Sequence, residues 1–223
     1  MSIINDALKT SRISEVRDAL TNAHISSPYY DNAESWLGTF WDEDTIFRKC
    51  FRRLDLTATL DFACGHGRHT AQCHYEVGSI ILTDVNQSNL EFCRQRFSTS
   101  SKVKYVLCNG KDLSGIPSTT LTSLFSYNAM VHFEALDVVS YVFEFARILV
   151  PGGRALLHYS VNNSNPASDF RDAPHWRNYF SESLMHHVAN RAGFQVLSAH
   201  KFSWPPGSPG REIDGLVLLE KPI

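Results

Sequence analysis

The sequence has no apolar run long enough to cross a membrane and no cluster of Lys and Arg. Spanning a bilayer takes about 20 apolar residues in a row, and nucleic acids or anionic membranes are bound by strongly basic surfaces. The chain of 223 residues has a net charge of −2, with 21 Lys and Arg against 23 Asp and Glu. We therefore expect no membrane partner and no nucleic-acid partner. The first residues also lack a basic segment and an apolar core, which predicts no signal peptide.

The sequence also lacks a cysteine pattern typical of disulfides. The five cysteines are an odd number scattered over predicted helices, strands and a turn, which favours free thiols and a reducing, cytoplasmic location. One group of side chains could be drawn around a zinc ion: Cys64, His66, His69, Cys73 and His74. The C-x-x-C or H-x-x-x-H pairs of closed zinc sites are missing from this group, so we expect no metal. His69 is interpreted as a surface residue.

The stretch that organises the chain is a strand, a glycine-containing turn and a helix. The strand is predicted over 57–62, the turn contains Gly65 and Gly67, and the helix is predicted over 69–77. A turn of this kind lets the backbone approach a ligand and directs a helix N-terminus at it. The sequence therefore predicts a ligand site at the carboxyl end of this strand.

The ligand predicted for this turn is a nucleotide other than NAD. A second strand, 79–84, ends in Asp84, about 20 residues after the turn, where a carboxylate holds ribose hydroxyls in nucleotide-binding folds. The G-x-G-x-x-G fingerprint of dinucleotide sites is incomplete, because Thr70 stands where its last glycine would be. Asp61, at the head of the turn, would repel a pyrophosphate and attract a sulfonium or an ammonium group. These features disfavour an NAD-dependent oxidoreductase.

Predicted strands and helices alternate through the rest of the chain. The later helices are predicted over 87–97, 135–149 and 181–192, and the later strands over 103–108, 121–127, 154–161, 194–203 and 213–220. The residues Pro151-Gly152-Gly153 are expected to form a turn before strand 154–161. Such alternation predicts a parallel sheet with helices on both faces and a ligand at the carboxyl ends of the strands. The last two strands are expected to pair as an antiparallel hairpin.

The N-terminal residues are predicted to form helices outside this core. Residues 3–22 have an amphipathic helical pattern, and we expect them to pack on the core as an extra helix or a lid. Two further helices are predicted, one over 33–37 that ends at Gly38 and one over 42–53 that begins at Asp42. We predict one domain over residues 1–223. Its helical extension, core and C-terminal part are 1–53, 54–161 and 162–223.

Residues 55–160 resemble the core of the class I S-adenosylmethionine (SAM) methyltransferases. Asp61 to Gly67 are similar to that family's Asp/Glu-x-Gly-x-Gly-x-Gly motif, with Ala63 in place of the first glycine. The other matching stretches are Asp84, Asn109-Gly110, 124–128 and 150–153. The resemblance implies a Rossmann-like, doubly wound α/β fold with a seven-stranded, mostly parallel sheet whose last strand is antiparallel. It also implies SAM as the cofactor and methyl transfer as the activity.

The resemblance also implies roles for residues around the cofactor. Those expected to contact SAM are Tyr30, Asp61, Ala63, Cys64, Gly65, Gly67, Asp84, Val85, Asn109, Gly110, Ser126 and Tyr127. Asp61 would orient the turn or meet the methionine ammonium, and Asp84 would take the ribose hydroxyls or merely cap a helix. Asn109 would face the adenine or form an Asx turn, and Asp112 competes with it. Tyr30 would close over the sulfonium or fix the N-terminal segment to the core.

The acceptor side is predicted from residues near the ends of the fourth and fifth strands. His132 is the candidate general base because imidazole titrates near neutral pH, although a lone histidine is often structural. The residues expected to contact the acceptor are Tyr29, Asn128, His158, Arg171, His175, Arg177 and Asn178. Of the neighbours His158 and Tyr159, only one can face the pocket. The donors in the 162–180 loop suit a hydroxyl-rich, phosphate or carboxylate acceptor, or else lie in solvent.

The predicted function is O-methylation of a small-molecule or saccharide hydroxyl. The alternatives are N-methylation of a small amine, which needs no strong base, and a non-catalytic SAM-fold partner subunit. A homodimer is also considered. The stretches 130–134 and 175–178 resemble a little-characterised group of bacterial methyltransferases, which indicates little about the acceptor.

Overall fold

Seven strands form one sheet in the computed structural model, which describes residues 12–23, 29–172, 175–206 and 209–223. In chain order the strands are β1 (Ala58–Phe62), β2 (Ser79–Asp84), β3 (Val103–Leu107), β4 (Leu121–Ser126), β5 (Leu149–Ser160), β6 (Gln195–Phe202) and β7 (Asp214–Glu220). They lie in the order β3-β2-β1-β4-β5-β7-β6. Strand β7 is antiparallel to both of its neighbours and the other pairs between β1 and β5 are parallel. The predicted doubly wound fold and its closing hairpin are confirmed.

Helices pack on both faces of this sheet. In chain order they are α1 (Arg12–Ala23), α2 (Tyr29–Glu34), α3 (Gly38–Trp41), α4 (Ile46–Phe51), α5 (Arg68–Cys73), α6 (Gln87–Arg96), α7 (Ala135–Ile148) and α8 (Glu182–Arg191). Across the four described stretches, no helix combines the length and the apolar character that crossing a membrane requires. The predicted helix over 3–22 is described only from residue 12, and its first part lies outside the described residues.

Neighbouring residues of the central strands face opposite layers of helices. On β4, Leu124 packs into a buried cluster with α7 and α8, whereas Phe125 packs into a second cluster with α3, α4 and α6. This follows from the two-residue period of a strand, whose successive side chains point to opposite faces. Both faces are buried, which explains the nearly continuous apolar character of these strands.

The strand order reverses between β1 and β4. The connection after β1 leads towards β2 and β3, whereas the connection after β4 leads towards β5. The chain therefore diverges at the carboxyl ends of these two strands and leaves a crevice there, as open α/β sheets do at such a switch point.

The helix predicted over 42–53 is shorter, and its predicted cap is wrong. The helix runs over Ile46–Phe51, and the Oγ1 of Thr45 accepts a hydrogen bond from the Arg48 backbone N–H at 3.1 Å. Asp42 instead follows helix α3, which begins at Gly38, the residue predicted to end a helix. A hydroxyl one residue before the helix satisfies an N-terminal N–H that would otherwise have no partner.

The turn predicted at Pro151-Gly152-Gly153 is a bulge inside β5. Leu121 pairs with Leu149 and Ser123 pairs with Arg154, so β5 has extra residues opposite a short stretch of β4. A Cβ on Gly153 would lie 2.8 Å from the carbonyl oxygen of Val150, which explains why a glycine stands there. The extra residues bend the strand without ending it.

The glycine turn itself has three residues with positive φ: Ala63 at 57°, Gly65 at 53° and Gly67 at 70°. Gly67 is the last residue before α5. A Cβ on Gly67 would lie 2.8 Å from the Phe97 ring and 3.1 Å from the Sγ of Cys93. Gly67 therefore allows the turn to pack closely against the end of α6.

The substitution Gly67→Ala should lower the free energy of unfolding by about 2–4 kcal/mol, because it combines left-handed backbone strain with a steric overlap. Gly193→Ala is the matched control, since Gly193 has a φ of 88° but no atom within 4 Å of an added Cβ. That variant should lose only about 1–2 kcal/mol, the strain alone. Urea unfolding of both variants measures the difference. Equal losses would show that Phe97 does not restrict this position.

Candidate functional site

A cavity opens in the crevice at the carboxyl ends of β1 to β4. Residues that follow these strands form its base and walls, and residues of α1 and α2 cover it. Eleven of the predicted site residues line this cavity: Tyr29, Tyr30, Ala63, Cys64, Gly65, Asp84, Val85, Gly110, Tyr127, Asn128 and His132. The structure thus brings together residues from five separate stretches of the sequence.

The Asp84 carboxylate holds the base of the cavity together. One oxygen accepts a hydrogen bond from the Gly65 backbone N–H at 2.9 Å. The other accepts from the Asn86 backbone N–H at 2.9 Å and from the Asn89 side chain at 3.1 Å. Burial raises the pKa of Asp84, and these donors oppose that effect by favouring the ionised form. The carboxylate therefore fixes the glycine turn while also lining the cavity.

Tyr30 lies directly on the glycine turn. A Cβ on Gly65 would be 2.6 Å from the Tyr30 ring, so only a glycine permits this contact. The ring stacks on His66 at 4.2 Å, and its hydroxyl accepts a hydrogen bond from Asn89 at 3.0 Å. Burial raises the pKa of Tyr30 well above its ordinary value, so the hydroxyl stays protonated.

Helix α1 covers the part of the cavity near Gly110. A Cβ on Gly110 would lie 2.7 Å from the Cδ of Arg17. Arg17 also forms an ion pair with Asp137, a residue of α7 that lines the cavity. The N-terminal segment therefore contributes directly to the site, as expected of an extra helix or a lid.

Four residues predicted to contact the cofactor lie outside the cavity lining. Asp61 accepts a hydrogen bond from the Thr70 hydroxyl at 2.6 Å, which joins β1 to α5 and orients the turn. Gly67 faces α6. The Asn109 side chain accepts from the backbone N–H groups of residues 111 and 112, which is an Asx turn. Ser126 is fully buried, and its hydroxyl has no hydrogen-bond partner among the described residues.

His158 and Arg177 form a buried network behind the cavity instead of lining it. The Nε2 of His158 donates to an Asp214 oxygen at 2.6 Å, and its Nδ1 accepts from the Asn128 backbone N–H at 3.0 Å. Arg177 donates to the same carboxylate at 2.6 Å. Burial lowers the pKa of His158, which keeps it neutral. The hydrogen bond from Asn128 to His158 therefore ties this network to a residue that lines the cavity.

The other predicted acceptor residues also lie away from the cavity. Asn178 is buried and donates to Glu134 at 3.0 Å. Arg171 pairs with Asp169 and with Glu15 of α1. His175 is exposed. The polar loop after β5 therefore connects to α1, and does not place this cluster of donors in the cavity.

His132 lies at the end of a short 3₁₀ turn, Met130–His132, that sequence reasoning did not predict. Its Nδ1 is hydrogen-bonded to the Trp176 backbone oxygen. A carbonyl oxygen can only accept, so Nδ1 carries the hydrogen and Nε2 carries a lone pair in the neutral ring. The cavity thus contains a histidine in the tautomer that a proton acceptor requires.

Among the cavity residues that sequence reasoning missed, Arg68 and His69 are two polar ones that lie next to the glycine turn. Both follow the glycine turn directly, at the N-terminus of α5. The prediction that His69 lies at the surface is wrong, since the residue is 4% exposed. Their position at a helix N-terminus, directly after the glycine turn, could have identified them as candidate site residues. In the described part of the chain, no three His, Cys, Asp or Glu side chains are placed to share a metal ion.

Comparison with known proteins supports the family suggested by the turn. Residues 59–153 match a family model described as a methyltransferase domain. Over 105 residues the chain is 30% identical to the biotin biosynthesis bifunctional protein BioHC of Cellvibrio japonicus. The match covers 47% of this chain but only 20% of BioHC, so the chain spans about a fifth of that relative's length.

Solved structures share the fold at low identity. A SAM-dependent methyltransferase from Mesorhizobium loti has a TM-score of 0.63 at 14% identity, over 78% of this chain and 96% of that one. Geranyl diphosphate methyltransferase in complex with SAM has a TM-score of 0.64 at 14% identity, over 78% and 83%. The [4+2]-cyclase SpnF has a TM-score of 0.63 at 15% identity, over 79% and 80%. Residues 59–153 are thus similar to a methyltransferase domain, and the chain shares the class I fold of solved SAM-dependent methyltransferases.

Replacing Asp61 should change how stability depends on pH. Burial raises the pKa of Asp61 to about 7, whereas an unfolded Asp titrates near 3.9. The stability that neutral Asp61 provides is therefore full below about pH 4 and is lost as the pH rises through 7. Asp61→Asn does not titrate and keeps an acceptor for Thr70. Its advantage over the wild type should grow by about 2–3 kcal/mol between pH 5 and pH 8.

Urea unfolding at several pH values measures this change. Asp55→Asn is the control. A hydrogen bond from Thr57 lowers the pKa of Asp55, so this carboxyl is ionised in both states from pH 5 to pH 8 and its contribution should stay constant there. A constant difference between Asp61→Asn and the wild type from pH 5 to pH 8 would contradict the assignment.

Proposed function

We propose that this methyltransferase domain methylates a hydroxyl group of a small molecule or a saccharide. Bound SAM supplies a methyl carbon activated by positive sulfur, so an acceptor oxygen can displace the sulfur in line without an acid. The chain's own task is to hold the acceptor in line and to receive its proton. One observation supports this most: the cavity beside the glycine turn and Asp84 also contains His132, with its lone pair on Nε2.

In this proposal the two halves of the cavity have different tasks. Asp84 would accept hydrogen bonds from the ribose hydroxyls of bound SAM, and the backbone at Gly110 would contact its adenine. The glycine turn, with Ala63 and Gly65, would hold its methionine part. His132 takes the proton of the acceptor hydroxyl as the oxygen–carbon bond forms. Tyr127 and Asn128, which follow β4, also line the cavity.

Two alternatives make different predictions about the same residues. N-methylation of a small amine needs no strong base, so His132 would be dispensable. A non-catalytic partner subunit would bind SAM without turnover, or not bind it. The fold alone does not decide between them, because the [4+2]-cyclase SpnF shares it.

The cellular location, the class of acceptor and the oligomeric state are also proposals. We expect a cytoplasmic protein, because all five cysteines are free and buried. The near-neutral charge favours a small-molecule or saccharide acceptor over a nucleic acid or a membrane surface. A homodimer is compatible with these proposals and is tested by the mass of the protein in solution.

Calorimetric titration with S-adenosylhomocysteine (SAH), with NAD as the control, tests the cofactor. Micromolar binding of SAH and no binding of NAD is expected. Asp84→Asn should weaken SAH binding by about tenfold or more, since it removes the charge that attracts the ribose hydroxyls. The exposed Asp44→Asn is the matched control and should bind like the wild type. Unchanged SAH affinity in Asp84→Asn would remove Asp84 from the ribose site.

Replacing His132 tests the acceptor atom. Methyl transfer is followed as SAH release from SAM in the presence of hydroxylated small molecules and sugars. His132→Gln should lower kcat by about 10²–10⁴-fold, the usual contribution of a general base. It should leave SAH affinity unchanged and remove the limb of the pH–rate profile that reports the base. The exposed His187→Gln is the control. A nearly normal rate in His132→Gln would favour an amine acceptor.

A further inference from the structure

His69, which lines the cavity, has a buried hydrogen-bond donor that no described residue uses. The indole N–H of Trp41 donates to the Nδ1 of His69 at 3.0 Å. An indole nitrogen can only donate, so the neutral imidazole must carry its hydrogen on Nε2. Burial lowers the pKa of His69 well below its usual value, which keeps the ring neutral. No described residue accepts a hydrogen bond from this buried Nε2, a loss that proteins ordinarily avoid.

Arg68, the preceding residue, brings a buried positive charge to the same cavity. Its side chain is nearly buried, and the residue is 8% exposed. The guanidinium donates to the Ala33 carbonyl oxygen at 2.8 Å and to the Tyr29 hydroxyl at 3.3 Å, both neutral acceptors. Among the described side chains, no carboxylate forms an ion pair with it. Buried charges are normally paired in direct contact. Asp61 interacts with this charge only at longer range, so the guanidinium has no carboxylate in contact among the described side chains.

A third donor completes this wall of the cavity. The side-chain amide of Asn128 donates to the Tyr29 hydroxyl, which also accepts from Arg68. Asn128 is fixed from behind through its backbone N–H and the ring of His158. Arg68, His69 and Asn128 therefore make this part of the cavity rich in donors and positively charged.

The wall lies on the side of the glycine turn away from Asp84 and Gly110. The His69 ring is 5.6 Å from that of Tyr127, which follows β4, and Asn128 comes next in the chain. Asp84 ends β2, and Gly110 follows β3. Since β2 and β3 lie on one side of β1 and β4 lies on the other, the donors belong to the acceptor half of the cavity.

We propose that Arg68 and His69 form a binding subsite for a carboxylate of the acceptor, with Trp41 as the positioning residue that keeps the hydrogen on the Nε2 of His69. One unpaired guanidinium matches one negative charge, and a planar carboxylate can accept from both donors at once. The inference rests on the proposed function and narrows it: the acceptor is a small hydroxy acid. Its carboxylate is the group that is held, and its hydroxyl is the group that is methylated.

Paired ligands test the subsite in the SAH-saturated protein. The probes are 3-hydroxybutyrate, 4-hydroxybenzoate and glucuronate, each titrated beside its primary amide. At least one acid should bind about tenfold or more tightly than its amide, the effect of pairing a buried charge. Arg68→Met should remove this preference while changing SAH affinity by less than about twofold. The exposed Arg191→Met is the matched control and should keep the preference.

Variants of His69 and Trp41 separate a binding role from a structural one. His69→Phe should weaken acid binding, and His69→Gln, which restores an N–H donor, should recover part of it. Trp41→Phe keeps the aromatic packing but removes the indole donor. It should change the tautomer of His69, seen in its ring ¹⁵N NMR shifts, and reduce the preference for acids over amides. SAH affinity should stay constant in all three variants.

Two results would overturn the proposal. Acids that bind no better than their amides, or that do not bind, would remove the carboxylate subsite. If Arg68→Met and His69→Phe weaken SAH about tenfold or more and leave 5′-methylthioadenosine, which lacks the amino-acid end, unaffected, the carboxylate is that of the cofactor. Failure of the proposed function is a separate outcome, because the wild type would then not bind SAH, whereas the preference for acids can be measured on the free protein.

Discussion

The hydrogen bonds of the Asp84 carboxylate are the constraint on which the site depends. They join the end of β2 to the Gly65 backbone and to the start of α6. These groups lie on different elements, and a buried carboxylate is stable only when such donors surround it. The turn consequently keeps its positive-φ geometry against the packing of Tyr30 above it. Strand β2, the glycine turn and Tyr30 are therefore fixed relative to one another by the protein's own contacts.

The cavity that results is polarised along its length. Its acidic side chains are Asp84 at the end of β2, Asp137 of α7 and Glu34 of α2. Arg17 pairs with Asp137 and Arg96 pairs with Glu34, which leaves Asp84 without a cationic partner among the described residues. On the side of β4, the described acceptors around Arg68 are neutral, namely the Ala33 carbonyl and the Tyr29 hydroxyl, and the neighbouring His69 has a donor with no described partner. A cofactor with ribose hydroxyls suits the first half, and an anionic acceptor suits the second. The two ends of one cavity can thus favour two different ligands through single charged side chains, without a large charged surface.

The parts that the sequence predicts well are those set by local pattern. The alternation of strands and helices, the turn and Asp84 follow from apolar periodicity and glycine positions within about 30 residues, the span of one βαβ unit. The acceptor residues were harder because distant partners decide their positions. His158 and Arg177 bond to Asp214 on β7, 56 and 37 residues later. The Asn109 side chain accepts hydrogen bonds from its own neighbours in the chain. Polar residues that look alike in the sequence can therefore have different roles, and only their partners in the folded chain show which of them face the cavity.

His132 and His69 show how such partners set chemistry. Both rings line the same cavity, and both use Nδ1 in a hydrogen bond that the protein dictates. The partner of His132 is a carbonyl oxygen, which places a lone pair on Nε2. The partner of His69 is an indole N–H, which places a hydrogen there. One histidine is therefore suited to receive a proton and the other to donate a hydrogen bond. An acceptor held by its carboxylate at His69 while His132 receives the proton of its hydroxyl would use both tautomers at once.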